Sequence, residues 1–285
     1  MLVRERSRAS LLTDAAARLA AAGLDDAGME ARHLLAHVLA IPLPDLPRAP
    51  DSPVSADQAA TFLALVERRA AREPAAHLTG ERGFWSLDLA VTPDVLIPRP
   101  DTECLVEAVL AEIPDRSAPL TLLDLGTGSG AIMLALLSEL PNATGLGTDQ
   151  SGAALDVARA NARKTGLGNR ARFTRADWCA GIEGVFDVIV SNPPYIETAI
   201  INTLEPEVQA HEPHSALDGG PDGLCAYRAI LSGLDPLCGA GALLGFEIGF
   251  DQARTVSALM IEAGWPSPRI RRDFGGNERV LTARK

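Results

Sequence analysis

Apolar residues in the first seventy positions recur at helical spacing, and from Phe84 onward the pattern changes to alternating or continuous β-type runs. Residues 9–22 are alanine-rich with apolar positions three and four apart, and 29–40 carry Leu34, Leu35, Val38 and Leu39 on one side, so both are predicted helices. Five prolines between 41 and 53 interrupt the pattern. Ser55-Ala56-Asp57-Gln58 then has the form of a capping box and opens a helix to about Arg72. Residues 1–80 are therefore expected to form a small helical domain.

The period then shortens. Leu87, Leu89 and Val91 alternate with Asp88 and Ala90, Thr92-Pro93-Asp94 turns the chain, and Val95-Leu96-Ile97 follows, which predicts a β-hairpin within residues 81–98 that joins two domains. Pro98-Arg99-Pro100-Asp101-Thr102-Glu103 ends the second strand and caps a helix to about Ile113. Beyond it strands at 120–125, 143–148, 171–174, 186–191 and 242–247 alternate with helices at 131–140, 153–165, 224–234 and 252–263. Two last strands, near 269–273 and 279–282, are joined by Phe274-Gly275-Gly276-Asn277. Residues 99–285 thus read as an α/β domain with a doubly wound, mostly parallel seven-stranded sheet and an antiparallel C-terminal hairpin.

Composition narrows the partners. The 26 Lys and Arg residues against 37 Asp and Glu give a net charge of −11, which disfavours long nucleic acid as a direct partner, because phosphate contacts dominate such binding. No apolar run is long enough for a membrane span, and Met1-Leu2-Val3-Arg4-Glu5-Arg6 has no signal-like apolar core, so a cytoplasmic protein is expected. Cys104, Cys179, Cys225 and Cys238 have no ligand-like spacing and read as free thiols, and neither His33/His37 nor His211-Glu212-Pro213-His214 forms a credible metal box, the latter being expected as surface loop.

Candidate chemistry gathers where strands end. Strand 120–125 runs into Gly126-Thr127-Gly128-Ser129-Gly130 and then a helix, an arrangement in which backbone approaches a ligand closely and a helix N-terminus offers free N–H groups. The letters also satisfy a dinucleotide fingerprint, but Asp124, two residues before the first glycine, would repel a pyrophosphate and attract a cationic ligand such as S-adenosylmethionine. Asp149 ends the next strand, 19 residues past Gly130, where an acid accepts from ribose hydroxyls or else caps the following helix. Asp177-Trp178 offers an acid and a ring for an adenine, with core packing as the other reading of Trp178. The run 186–191 stops at Asn192-Pro193-Pro194-Tyr195 because proline cannot continue a ladder. Pro-Pro holds the Asn192 carboxamide and the Pro193 carbonyl rigidly, two acceptors that suit an NH2 group, and Tyr195 is placed to stack on it; a turn with no ligand is the alternative.

These residues together resemble a class I S-adenosylmethionine-dependent methyltransferase, and more closely the HemK (PrmC) family of release-factor glutamine methyltransferases. The specific segments are Ile97 to Glu103, Asp124 to Gly130, Ser191 to Tyr195, and Ala216-Leu217-Asp218-Gly219-Gly220-Pro221-Asp222-Gly223-Leu224. The resemblance implies S-adenosyl-L-methionine on the residues 124–130 loop, its ribose on Asp149 and its adenine beside Asp177 and Trp178. Asn192 and the Pro193 carbonyl would bind the carboxamide of a glutamine, with Tyr195 beside it. The implied substrate is the Gly-Gly-Gln loop of bacterial peptide chain release factors, engaged in part by the N-terminal domain. The competing readings are an amino-group methyltransferase of a ribosomal protein or nucleic acid, and an oxidoreductase on a dinucleotide fold.

Overall fold

Four helices make the first unit of the fold: α1 (Arg8–Ala21), α2 (Ala27–Leu39), α3 (Ala56–Ala70) and the short α4 (Ala75–Thr79). The computed structural model describes residues 6–285; Met1–Glu5, expected to carry no signal-like core, lie outside the described residues. Two short strands, β1 (Arg6–Ser7) and β2 (Pro53–Val54), pair antiparallel beside the helices. The Ser55 hydroxyl accepts from the Gln58 backbone N–H at 3.3 Å and caps α3, as its spacing predicts. Leu11, Leu19, Leu34, Leu35 and Phe62, spaced on one face of each helix, are fully buried and form a core belonging to this unit. The chain divides into two compact units, Met1–Gly80 and Glu81–Lys285.

The second unit opens with a hairpin whose strands differ from expectation. Strand β3 (Glu81–Phe84) pairs with β4 (Leu87–Ala90) across Trp85-Ser86, while residues 92–98 form no strand. Pro93 and Pro98 remove donors a ladder there would need, whereas a two-residue connection with Trp85 at φ 56° matches strand twist. The far edge of β4 is covered by Asn161, whose carboxamide accepts from the Ala90 N–H at 2.7 Å and donates to the Ala90 carbonyl at 3.0 Å.

The remaining elements are α5 (Glu103–Glu112), β5 (Thr121–Leu125), α6 (Ala131–Glu139), β6 (Thr144–Asp149), α7 (Gly152–Lys164), β7 (Ala171–Arg175), β8 (Phe186–Ser191), α8 (Pro206–His211), α9 (Cys225–Gly233), β9 (Cys238–Glu247), α10 (Ala253–Glu262), β10 (Arg269–Arg272) and β11 (Glu278–Arg284). The seven strands lie in the order β7-β6-β5-β8-β9-β11-β10, parallel except for β11, which is antiparallel to both neighbours. Alternate residues feed two cores. Leu122, Val188 and Leu243 meet α5 and α6 on one face, and Leu123, Ile189 and Leu244 meet α9 and α10 on the other. The chain runs outward from β5 to β7 and returns to β8, so the order reverses between β5 and β8, where a crevice opens beyond the carboxyl ends. No helix among the described residues is long and apolar enough to cross a membrane.

Candidate active site

The crevice is a cleft of about 930 Å³, counted to its open mouth. One wall is the loop after β5. The Thr127 N–H bonds the Thr148 carbonyl at 2.8 Å, which ties the loop to β6, and Gly130, at φ 83°, turns it into α6. Gly126 sits at φ 72° with the Trp178 indole above it, so a Cβ there would lie 3.3 Å from the ring as well as in a strained backbone region. Trp178 itself holds a left-handed φ of 49°, which sets its ring over the loop.

Asp124 does not reach this cleft. Its carboxylate is fully enclosed beneath the loop and accepts from the Thr127 hydroxyl at 2.6 Å. Burial pushes the carboxyl up to about 7 against the Thr127 bond. A group so placed fixes the loop; the expected direct attraction of a cationic ligand falls instead to acids that face the cavity. Asp149 and Asp177 both line it. Asp149 accepts from the Gly128 N–H at 3.0 Å and the Ser151 N–H at 2.9 Å, one bond to each oxygen, leaving each a lone pair. The capping and ligand-binding readings of Asp149 are thus compatible.

The opposite wall is the tip of β8. Ser191 donates to the Leu125 carbonyl at 2.6 Å, locking β8 to β5 just before Asn192. The Asn192 Nδ2 donates to the Thr102 hydroxyl at 3.4 Å, and both residues line the cleft. Pro194 lines it too, and Pro193, between the two, is buried. Tyr195 departs from expectation. Its hydroxyl donates to Glu247 Oε1 at 3.4 Å and its ring joins the core under the sheet, so it does not line the cleft and braces the tip from behind. Burial, with the Glu247 charge, pushes its phenol well up.

Residues remote in sequence support this tip. The Ala216–Leu224 segment is its buttress: Ile196 and Asp218 form a parallel bridge, and a Cβ on Gly219 would meet the Pro194 carbonyl at 2.8 Å. Gln252 Nε2 donates to the carbonyls of Tyr195 and Gly223 at 3.1 and 3.2 Å. Glu212, expected on a surface loop, is buried and pairs at 2.5 Å with Arg99, the one cation lining the cleft among the described residues. Burial raises the Glu212 carboxyl, with Arg99 opposing. Among the described residues no group of three or more His, Cys, Asp and Glu side chains could hold a metal ion.

The donor set suits S-adenosylmethionine. Two carboxylates, an indole face and backbone N–H groups line a cavity whose single cation is already paired, which fits a ligand with positive centres, a ribose and an adenine better than one with a pyrophosphate.

Comparison with known proteins agrees. Residues 10–80 match the PrmC N-terminal domain family and residues 101–206 the methyltransferase small domain family. Release factor glutamine methyltransferases of Agrobacterium fabrum and Caulobacter vibrioides are each 45% identical to the chain, over 94% of it and over 94% and 93% of their own lengths. In fold, the chain resembles the crystal structure of a methyltransferase from Pyrococcus furiosus, with a TM-score of 0.53 at 18% identity, covering 81% of this chain and 99% of that one. With its N-terminal helical unit, its seven-stranded sheet and this degree of identity along nearly the whole length, the chain belongs to the release factor glutamine methyltransferase family.

Proposed function

We propose that the protein methylates the side-chain amide nitrogen of the glutamine in the Gly-Gly-Gln motif of peptide chain release factors, with S-adenosyl-L-methionine as cofactor. The observation that carries this reading is Asn192: its Nδ2 is engaged with Thr102, so its Oδ1 is the end left to face the cleft as an acceptor. An amide nitrogen is a poor nucleophile because its lone pair is delocalised into the carbonyl. Asn192 Oδ1 and the Pro193 carbonyl accept the two N–H bonds of the substrate carboxamide, orient it and take up positive charge as it develops. S-adenosylmethionine, when bound, supplies an electrophilic methyl group. Gly126 to Gly130, Asp149, Asp177 and Trp178 are the residues that would hold it.

The net charge of −11 supports a protein substrate over a long nucleic acid. The Met1–Gly80 unit is proposed to engage the body of the release factor, since a short loop alone offers little surface and must be ordered on binding. Mass spectrometry of release factor after reaction tests the substrate: a gain of about 14 Da on the loop glutamine is expected, and a methyl group elsewhere would refute the reading. Removal of residues 1–80 should lower kcat/KM for intact release factor at least about tenfold while activity on a short Gly-Gly-Gln peptide barely changes. Calorimetric binding of S-adenosylmethionine checks that the shortened chain is folded.

A further inference from the structure

The two most exposed large apolar side chains among the described residues are both phenylalanines, Phe274 at 93% and Phe250 at 66%. A single exposed apolar residue is ordinary, but these two stand on turns of neighbouring strands at the end of the sheet where the cleft opens. Resting on the substrate named above, we propose that Phe250 and Phe274 form an apolar docking surface for side chains of the release factor that flank its Gly-Gly-Gln loop.

Phe250 follows β9 and Phe274 lies in the turn before β11, and Glu247 stands opposite Val280 in the antiparallel register, so both turns project beyond the carboxyl ends of the parallel strands. One further rung, from the Ile248 N–H to the Arg279 carbonyl at 2.9 Å, joins them. Each turn is fastened to the rim of the cleft. Beside Phe250, Gln252 donates to the Tyr195 carbonyl at 3.1 Å, which ties that turn to the tip of β8. Beside Phe274, Asp273 accepts from Arg279 at 3.1 Å, and Arg279 reaches Asp101 at 3.6 Å, next to Thr102 of the cleft wall.

Both turns are closed by their own bonds. The Gly249 N–H bonds Gln252 Oε1 at 3.0 Å, and the Asn277 N–H bonds Asp273 Oδ1 at 2.9 Å while the Asp273 N–H bonds the Asn277 carbonyl at 2.9 Å. The rings are thus presented on ordered backbone, and covering them costs little further ordering. Asp273 is buried against Arg279, so the turn offers a partner an apolar ring rather than its neighbouring charge.

Distance and area select the occupant. Only β9 separates β8 from β11, which sets the two about 10 Å apart. A glutamine side chain held at Asn192 does not span that distance, whereas the protein that carries it must lie across the rim. Two phenylalanine side chains offer about 150–250 Å² each, well short of the roughly 800 Å² per partner of a stable dimer. A contact of that size suits a substrate that leaves after each turnover, and it supplies affinity without touching the transferred group.

The test uses the full chain with Phe250→Ser, Phe274→Ser, both together, and Phe274→Leu. It reads the Kd for intact release factor, kcat and KM on intact release factor and on a short Gly-Gly-Gln peptide, and calorimetric affinity for S-adenosylmethionine. In the double variant the Kd should rise and kcat/KM on intact release factor should fall about tenfold or more, through KM, with kcat within about twofold. Peptide activity and cofactor affinity should stay within about twofold, and Phe274→Leu should keep kcat/KM within about threefold of wild type. An unchanged Kd in the double variant, or an equal fall on peptide and protein, would overturn the inference. So would a wild-type dimer that the double variant splits into monomers in sedimentation, since the surface would then belong to a second copy. Should the double variant fail to fold, the single Ser variants decide, each with a rise in Kd of at least about threefold expected. A wild type that binds release factor but leaves its glutamine unmethylated overturns the functional reading while the Kd still tests the docking surface, so the two failures are distinguishable.

Discussion

On the β5 to β7 side of the cleft the groups that face the ligand are largely backbone and solvent-accessible carboxylates, whereas on the β8 to β9 side they are side chains tied into a buried network. The loop wall is shaped by three glycines at positive φ, Gly126, Gly128 and Gly130, and by Asp149, whose oxygens bond backbone N–H groups. The tip wall depends on Asn192, whose Nδ2 donates to Thr102, and on Tyr195, whose hydroxyl donates to Glu247. The first arrangement suits a small cofactor that must bind and leave many times, because backbone groups cost no rotamer ordering. The second suits a reacting group whose orientation must be fixed before the methyl group moves.

If the division is real, single substitutions on the two walls should fail in different kinetic constants. The largest effect is expected for Asn192→Ala, which should lower kcat roughly a hundredfold or more while cofactor affinity stays within about twofold. Retained kcat in that variant would erase the distinction. Asp149→Ala should do the opposite. Loss of a charged acceptor for two ribose hydroxyls is worth roughly 2 kcal/mol of cofactor binding, about thirtyfold in Kd, with kcat recovered at high cofactor. Calorimetry gives the first number and steady-state rates the second; an unchanged Kd would assign Asp149 to loop and helix capping alone. Trp178→Ala should weaken the cofactor by about 1 kcal/mol, since one stacked face is lost while the carboxylates remain.

The smallest effect concerns stability. Asp124 has its folded carboxyl raised from 3.8 to about 7, so the proton it binds in the folded state favours folding below the unfolded value, and this contribution is lost as pH rises through the folded one. Asp124→Asn cannot titrate. Its melting temperature relative to wild type should therefore rise by roughly 3 °C or more between pH values of about 4 and about 8. A difference that stays constant with pH would mean that Asp124 is not buried as a charge.

The two walls also differ in how readable they were from the chain alone. Asp124 to Gly130, Asp149 and Asn192 to Tyr195 sit at strand ends in local runs, and turn geometry and proline chemistry point to them directly. Glu247 could not be found that way: a glutamate at the end of an apolar strand has an ordinary local explanation, and it meets Tyr195 only because β9 lies beside β8. The placement of Tyr195 is hidden for the same reason, as its partner Glu247 is remote in sequence. The hairpin at residues 81–90 shows the converse limit. Alternation at 87–91 marks a strand truly, but it does not say whether the partner lies before or after it, and the prolines at 93 and 98 settle the matter by lacking donors.

The indole above Gly126 also has an optical use. Of the three tryptophans, Trp265 is fully buried with the Lys285 ammonium 5.7 Å from its ring, and Trp85 is held by a bond from its indole N–H to Glu139 at 2.9 Å. Trp178 alone among them lines the cleft. Intrinsic fluorescence that changes on filling the cleft therefore comes chiefly from one known position. The native chain carries its own binding reporter, and the change should disappear in a Trp178→Phe protein that still folds.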